Sequence, residues 1–395
     1  MAQIRLLELR NTYKWGGGPD KTILLSAEQH DPSRVSVVVA YVRDVQDREF
    51  QITEMARSRK LTYYEIPEKG KFDPQVVKAI RDIVVKHDIN LIHGHDYKSD
   101  FFAYLVRRWL WRRPIALVST AHAWVMLGLK GEIYRRLDLF LMRRFDHLIA
   151  VSQATKAEML EAGVPESRIS VVHNGIDTKA WSREMIGTTL REELNINPST
   201  PVVGYVGRIM PEKDLVTWLR AAALVARKFP DTRFILVGEG RDSMTLGELQ
   251  SLVLTLGIDK KVIFLGYHSN LLPVYSAFDI FVLSSLREGL PNCILEAMAL
   301  GLPVVTTDVA GAKELVVKGE TGLVVPQKDS EGLARAIVAL LANHEYRGRM
   351  GKAGRERIES EFCFAKRLRR IEDLYDLVLR GYPYCTPSHN PAIAC

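Results

Sequence analysis

One rhythm governs what this 395-residue chain can fold into: a short β-branched apolar run, a turn and a helical stretch, repeated along most of its length. In the first half the apolar runs are Ile4–Arg10, Val35–Val42, Leu61–Ile66, Leu91–His93, Ala116–Thr120, His147–Val151 and Ile169–His173. Helical patterns separate them; Asp73 is placed to cap one over Pro74–His87 and Ser152 one over Gln153–Ala162. A looser polar region, Trp181–Pro201, with Gly187, Asn195, Asn197 and Pro198, interrupts the rhythm. It then resumes with Val202–Val206, Arg233–Val237, Val262–Leu265, Ile280–Leu283, Pro303–Thr306 and Leu323–Val325. The last long helical stretches are Ser330–Leu341 and Glu356–Arg380, ahead of a Pro-rich tail, Gly381–Cys395.

Alternation of this kind predicts an α/β fold of two doubly wound domains, each a parallel sheet with helices on both faces. The length suits two domains of roughly 150–200 residues. The expected limits are 1–185 and 186–360, then a C-terminal helix over 361–380 packing back toward the first domain, then a mobile tail over 381–395. Ligands of such sheets bind outside the carboxyl ends of the strands, so the expected site is a cleft between the domains.

Composition narrows the class. Apolar residues make up 47% and charged residues 26%, the balance of a soluble globular protein, and no run of 18 apolar residues occurs to span a bilayer. The first ten residues lack a signal-peptide pattern, so a cytoplasmic location is expected. Four cysteines without a Cys-x-x-Cys pair suggest neither a disulfide framework nor a zinc site. The net charge is +7, and residues 1–180 hold 28 Lys and Arg against 22 Asp and Glu, so most of the excess is N-terminal. Such a field suits an anionic membrane surface, an acidic acceptor or nucleic acid, and says nothing about fold. Arg107-Arg-Trp-Leu-Trp-Arg-Arg113 and Tyr134–Phe145 interleave basic and aromatic residues as interfacial helices do, although sheet-covering helices with water-facing charges read the same way. No nucleic-acid-binding module is formed, and no nucleic acid is expected as a partner.

The densest constellation is Phe281-Val-Leu-Ser-Ser-Leu-Arg-Glu-Gly-Leu-Pro-Asn292, continuing through Glu296 to Val305. A buried strand ends at Ser284, a Gly/Pro loop follows, and a helix starts near Asn292, which puts Glu288 in the loop and Glu296 in about the first helical turn. Carboxylates accept hydrogen bonds from vicinal hydroxyls, helix-terminal N–H groups attract a diphosphate, and Gly289 permits close backbone approach. A sugar nucleotide fits that set. Taken singly, either acid is an ordinary residue of a loop or a helix start.

Val203-Gly-Tyr-Val-Gly207-Arg208-Ile-Met-Pro-Glu-Lys213-Asp214 delivers two cations to a strand end, where Arg can grip phosphate oxygens and Lys can act as a point charge. Val171-Val-His173-Asn174-Gly175-Ile176-Asp177 runs a strand into an Asn-Gly turn, read as structural, with contact to the cleft as the alternative. Trp15-Gly16-Gly17-Gly18-Pro19 follows the first strand and offers backbone N–H groups to an anion, but it lacks the Gly-x-Gly-x-x-Gly spacing, which removes the main support for an oxidoreductase. Histidines close two strands: His93 and His95 in one, His122 in another. A His-x-His pair can ligate metal, but no third ligand is evident in sequence.

These motifs resemble family 4 of the retaining glycosyltransferases, group 1 glycosyl transferases with the GT-B fold of two Rossmann-like domains. The resemblance runs from the glycine loop to the final helix and is carried most specifically by residues 171–177, 203–214 and 281–311, above all by Glu288, seven residues, then Glu296. It implies that Glu288 contacts donor-sugar hydroxyls, Glu296 the ribose, and the backbone of Gly289, Leu290 and Pro291 the sugar and phosphate. It also implies that Arg208 and Lys213 bind the diphosphate and that His122 stands beside the donor sugar. Gly17, Gly18, Gly207, Tyr267 and Asn292 complete the expected donor set, with His95, Asp96, Lys98 and Asp100 on the acceptor side. Two positions depart from the family pattern: Asp214 stands where Gly usually follows the Lys, and Gly18-Pro19 displaces an acid, whose place Asp20 either takes or leaves empty.

The activity so implied is retaining transfer from a nucleoside diphosphate sugar to an acceptor hydroxyl on a glycan or lipid-linked precursor. No Asp-x-Asp occurs, so Arg208, Lys213 and a helix terminus stand in for a metal; no metal and no cofactor beyond the co-substrate is expected. Front-face substitution is the expected course, with Lys213→Ala lowering turnover by orders of magnitude at little change in thermal midpoint. The rivals are a nucleotide-sugar epimerase or phosphorylase on the same fold, which fold alone does not separate, and a silent sugar-nucleotide or membrane-binding protein.

Overall fold

The computed structural model describes residues 3–14, 16–70, 73–122, 128–182, 184, 190–240 and 243–381. Trp15 of the glycine turn, Gly187 of the polar region and the tail beyond Gly381 lie outside the described residues. The chain forms two compact units, Met1–His173 with Lys366–Cys395, and Asn174–Ala365.

The first unit runs β1 (Ile4–Asn11), α1 (Gly18–Gln29), β2 (Val35–Asp44), α2 (Ile52–Ser58), β3 (Tyr63–Glu68), α3 (Pro74–Lys86), β4 (Leu91–Gly94), α4 (Tyr97–Trp109), β5 (Ala116–Ala121), α5 (Gly128–Met142), β6 (His147–Ala150), α6 (Gln153–Glu161) and β7 (Ile169–Val171). Its strands form one parallel sheet in the order β3-β2-β1-β4-β5-β6-β7. Successive strand residues face opposite sides. Leu7 and Leu9 therefore pack with Val76, Ile80, Phe102, Val106 and Leu139 from α3, α4 and α5. Ile4 and Leu6 face the other way, toward Ile371, Leu374 and Tyr375 near the C-terminus, while Ile23, Leu24, Ile52 and Ala56 of α1 and α2 cover the outer strands on a separate patch. Asp73 and Ser152 cap α3 and α6 by accepting from the backbone N–H groups of Gln75 and Thr155.

The second unit runs α7 (Leu190–Glu193), β8 (Val202–Val206), α8 (Leu215–Lys228), β9 (Arg233–Val237), α9 (Ser243–Thr255), β10 (Val262–Gly266), α10 (Leu272–Ser276), β11 (Ile280–Leu283), α11 (Asn292–Ala299), β12 (Val304–Thr307), α12 (Ala310–Leu315), β13 (Gly322–Val325), α13 (Ser330–Ala342) and α14 (His344–Glu361). Its sheet is parallel in the order β10-β9-β8-β11-β12-β13. Both units are thus Rossmann-like, as the alternating pattern predicts. The final helix, α15 (Phe364–Arg380), returns to the first unit.

Two expectations need correction. The single helix predicted over Glu356–Arg380 is two helices, broken at Phe362–Cys363, where the chain pairs with Ile176: Ile176 N donates to Phe362 O at 3.0 Å and Phe364 N to Ile176 O at 2.9 Å. An extended segment has taken backbone groups that a continuous helix would use. The polar region Trp181–Pro201 is also not a loose connector throughout. Arg191 of α7 donates to the carbonyls of Ala277 (2.8 Å) and Thr200 (2.9 Å) and pairs with Asp279 at 2.7 Å, tying this stretch to the second sheet.

Candidate functional site

In each sheet the chain order reverses at one place, between β1 and β4 in the first unit and between β8 and β11 in the second. Diverging connections leave a crevice at the carboxyl ends of those strands, where ligands of open α/β sheets bind.

In the second unit, β8 delivers Gly207 and Arg208 to that crevice, and β11 delivers the loop from Ser284 to Pro291. The Lys213 ammonium meets Glu288 Oε1 at 2.5 Å, with side chains only 14% and 10% exposed. Ser285 Oγ donates to the same oxygen at 2.6 Å. The two loops are also joined through backbone: Ser284 Oγ donates to Lys213 O (2.8 Å), Leu286 N to Glu212 O (2.8 Å), and Thr307 Oγ1 to Ser285 O (2.5 Å). Lys213 is therefore not an uncommitted cation at the crevice. It is held by the carboxylate, while Arg208 is exposed and its carbonyl accepts from Tyr205 Oη at 2.9 Å.

Glu296 is the fifth residue of α11, in its second turn rather than its first, and Pro291 occupies the N-cap. Its carboxylate is buried and accepts from Tyr275 Oη at 2.8 Å. Asn292 opens α11 and its side-chain oxygen accepts from Asn174 Nδ2 at 2.9 Å, which brings the Asn-Gly turn to this helix. Gly289 and Leu290 are buried between Glu288 and the helix. Gly238 guards Gly207 from behind: its φ is +130°, and a Cβ there would lie 2.0 Å from the Gly207 carbonyl oxygen. Tyr267 stands at the end of β10, two strands from β8, its phenol pushed up by burial and by Glu239. Burial, and then Glu288, likewise push up the Cys293 thiol, leaving it a poor nucleophile.

Asp214 has a geometric explanation. It is left-handed (φ 45°, ψ 51°), and its side chain caps α8 by accepting from Thr217 N at 3.3 Å. A left-handed L-residue costs about 1–2 kcal/mol, whereas replacing an Asp cap by Gly costs a few tenths. Asp214→Gly is accordingly expected to raise stability by about 1 kcal/mol, read as a higher thermal midpoint.

In the first unit, Gly17 is the extended N-cap of α1 and Gly18 its first residue. Asp20 is buried and locks this turn from inside, accepting from Arg10 Nε (2.7 Å), Gly17 N (2.7 Å) and Thr12 Oγ1 (3.3 Å). Three of the acceptor-side residues are engaged in the fold. Asp96 caps α4 and accepts from Asn11 N at 2.8 Å, Lys98 pairs with Glu68, and Asp100 is buried against Ser119 Oγ at 2.6 Å. Burial, and then Asp138, raise the Asp100 carboxyl well above the carboxylate range.

His95 belongs to a cluster whose other key member, Glu8, the sequence reading passed over. Glu8 lies on the interior strand β1, opposite His93 in the register, and is 3% exposed. Its Oε2 is 2.6 Å from His95 Nε2 and 3.3 Å from His93 Nδ1. His93 also meets Tyr375 Oη (2.6 Å) and Thr120 Oγ1 (2.7 Å), and His95 Nδ1 meets His122 Nε2 at 3.4 Å. Metal-capable atoms of Glu8, His93 and His95 lie within 4.8 Å of one another, so Glu8 is the third ligand type that His-x-His lacked. The ring nitrogens already have protein partners, which a cation would have to displace. The signal for Glu8 was a carboxylate inside an otherwise buried strand.

Burial first, then the positive neighbours, depress His95 to about 3 and His122 well below the imidazole range; burial also lowers His30. The unfolded chain takes up these protons below about pH 6.5 and the folded chain does not, so stability is full above that value and falls as pH drops. The expected result is a thermal midpoint that declines between about pH 7 and 5, before carboxylates titrate.

Two family models match. Glycosyltransferase Family 4 covers residues 17–180, and Glycosyl transferases group 1 covers residues 187–357. The lipopolysaccharide core biosynthesis mannosyltransferase LpsB of Rhizobium meliloti is 33% identical over 247 residues, 61% of this chain and 68% of that protein. The chain belongs to the family 4, group 1 glycosyltransferases. It is a glycosyltransferase that uses nucleotide sugars. N-acetyl-alpha-D-glucosaminyl L-malate synthase of Bacillus anthracis is 27% identical over 80% of this chain and 82% of its own. Among solved structures, Anabaena HepE in complex with UDP and glucose aligns at a TM-score of 0.82 with 21% identity, over 95% of this chain and all of that one, which supports the GT-B fold.

Proposed function

We propose that this glycosyltransferase is a retaining, metal-independent enzyme that transfers a hexose from a nucleoside diphosphate sugar to a hydroxyl of a glycan or lipid-linked precursor. The observation that carries the reading is the Lys213–Glu288 pair at the β8/β11 crevice, with buried Glu296 on the adjoining helix. Glu288 Oε1 is engaged by both Lys213 and Ser285, the posture of a carboxylate that grips hydroxyls rather than one poised as a nucleophile. Arg208, Lys213 and the N-terminus of α11 supply positive charge for a departing diphosphate without a cation. Front-face substitution follows: the C1–O bond to the diphosphate breaks, the acceptor oxygen bonds to C1 on the same face, and the acceptor proton passes to the leaving phosphate oxygen.

Relatives suggest which donors and acceptors to try first. HepE is solved with UDP and glucose, and the Escherichia coli relative is a UDP-Gal:alpha-D-GlcNAc-diphosphoundecaprenol alpha-1,3-galactosyltransferase. The test is the anomeric configuration of the product, with turnover measured in chelator. Retention with full activity in chelator is expected; inversion, or loss restored by a divalent cation, contradicts the reading. Conversion of donor in the absence of acceptor would instead indicate an epimerase.

We further infer peripheral contact with anionic membranes at the cytoplasmic face. No helix among the described residues is long and apolar enough to cross a membrane. Trp111 is 71% exposed, and Trp109, Ile133 and Phe140 are exposed as well, on or just after helices that pack together as α4 and α5. Arg108, Arg112, Arg113, Arg136 and Arg143 are exposed among them. An apolar surface ringed by cations matches an anionic interface. Flotation with phosphatidylglycerol vesicles is expected to carry the protein, and Trp111→Ser with Arg112→Glu to reduce it about tenfold or more; equal flotation with neutral vesicles contradicts the inference.

A further inference from the structure

We propose that Glu8 is a positioning residue that acts through His95 to fix the tautomer of His122, so that His122 offers an unprotonated Nδ1, a hydrogen-bond acceptor, to a hydroxyl of its ligand. That the ligand is the donor sugar rests on the function proposed above; the tautomer lock does not.

The argument is one of donors and acceptors. An ionised carboxylate can only accept, so the 2.6 Å contact between Glu8 and His95 Nε2 requires the proton on that nitrogen. Glu8 is held ionised: burial opposes its charge, but the hydrogen bonds it receives from His95 Nε2 and His93 Nδ1 favour it, and its carboxyl lies well below the ordinary range. A neutral His95 then has a lone pair on Nδ1, and His122 Nε2, 3.4 Å away, must donate to it. His122 is left with Nδ1 bare. In a neutral imidazole the partner of one nitrogen decides the role of the other.

Burial is the main reason that His95 and His122 stay neutral. Arg10 on β1, His93 on β4 and Arg367 on α15 also disfavour a proton on one or both rings; Glu8 favours one on His95 but is outweighed, so neither ring becomes an imidazolium whose two nitrogens both donate. Glu8 itself faces His93 on β4, His95 just after it and Tyr375 from α15, whose hydroxyl lies 3.5 Å from Oε1; Arg367 is close enough to sense its charge, as is His30 beyond α1. Glu372 also stands on α15 but is occupied by His30 and Arg34, both at 2.9 Å. The stacked pair His95–His122, with ring centroids 5.7 Å apart at 26°, holds the orientation.

The test uses the full chain with ¹⁵N-labelled histidine, read by long-range proton–nitrogen correlation at neutral pH, with His95→Gln and His122→Gln supplying assignments. His95 and His122 are expected to show protonated Nε2 and bare Nδ1. Glu8→Gln, nearly isosteric, is expected to give His122 a mixture of tautomers and to lower kcat about 10- to 100-fold, the scale seen when a partner that orients a functional histidine is removed. A proton on Nδ1 of His122 in the unsubstituted protein overturns the proposal without reference to any variant. So does an unchanged His122 signal in a folded Glu8→Gln protein. A locked tautomer with turnover unchanged in both Glu8→Gln and His122→Gln upholds the lock and overturns the placement of His122 beside the sugar.

Discussion

Gly311→Ala is expected to lower the thermal midpoint by about 6–12 °C and turnover about 100-fold. Gly311 lies in α12, and a Cβ built on it falls 1.9 Å from the carbonyl oxygen of Gly289 and 2.5 Å from its carbon. Ordinary contact begins near 3.4 Å, and both clashing atoms are backbone, so relief requires the Glu288–Pro291 loop or α12 to move by more than 1 Å. Overpacking of this kind costs about 3 kcal/mol, and a displacement of about 1 Å at a reacting centre costs about two orders of magnitude in rate. The control is Gly247→Ala in α9, where a Cβ meets nothing within 4 Å. There the substitution is expected to be neutral or to stabilise by about 0.5–1 kcal/mol, because alanine is the better helix former.

Lys213→Ala is expected to lower kcat about 100- to 1000-fold, the scale of losing one charged stabiliser of a leaving group. The structure changes the second half of the sequence-based expectation, which held the thermal midpoint nearly constant. Lys213 and Glu288 are both largely shielded from water, so removing the ammonium strands a carboxylate whose remaining support is the Ser285 hydroxyl. Breaking such a pair from one side destabilises more than the pair is worth, here by about 1–3 kcal/mol. Adding Glu288→Gln to Lys213→Ala should recover most of that stability while leaving turnover at or below that of the single variant. Chemical denaturation and steady-state kinetics on the four proteins of this cycle separate the structural part of the pair from its part in transfer.

What could be read from the sequence followed from periodicity and turn chemistry. Strands such as Val202–Val206, Arg233–Val237 and Ile280–Leu283 fall where the apolar runs put them, and the two capped helices begin after Asp73 and Ser152. These are local signals. The break at Phe362–Cys363 is not local: it depends on Ile176, far away in sequence, claiming backbone groups. α14 was read only in its second part because its N-terminal residues carry little apolar pattern; its N-cap, Asn343, accepting from Tyr346 N, was the available clue.

The same division holds at the site. The resemblance marked Glu288, Glu296, Arg208 and Lys213, and the structure brings Lys213 against Glu288, but no spacing rule said that the cation and the acid would neutralise each other. Asp96, Lys98 and Asp100 read as acceptor-side residues after a strand, yet each is held by a cap, an ion pair or a buried hydroxyl that only three-dimensional packing supplies. Glu8 is not legible in the sequence because a lone acid in a strand is commonly solvated; its burial follows from the place of β1 inside the sheet, between β2 and β4 and under α15.

The central claim is that the crevice at the carboxyl ends of β8 and β11 holds the nucleoside diphosphate of the donor, and calorimetric titration with UDP, repeated with GDP and ADP, tests it most directly. The expected result is saturable binding of one of these nucleotides, weakened about tenfold or more by Lys213→Ala and by Glu296→Gln, with both variants still folded. Binding of none of the three, or undiminished binding by both folded variants, would contradict the assignment.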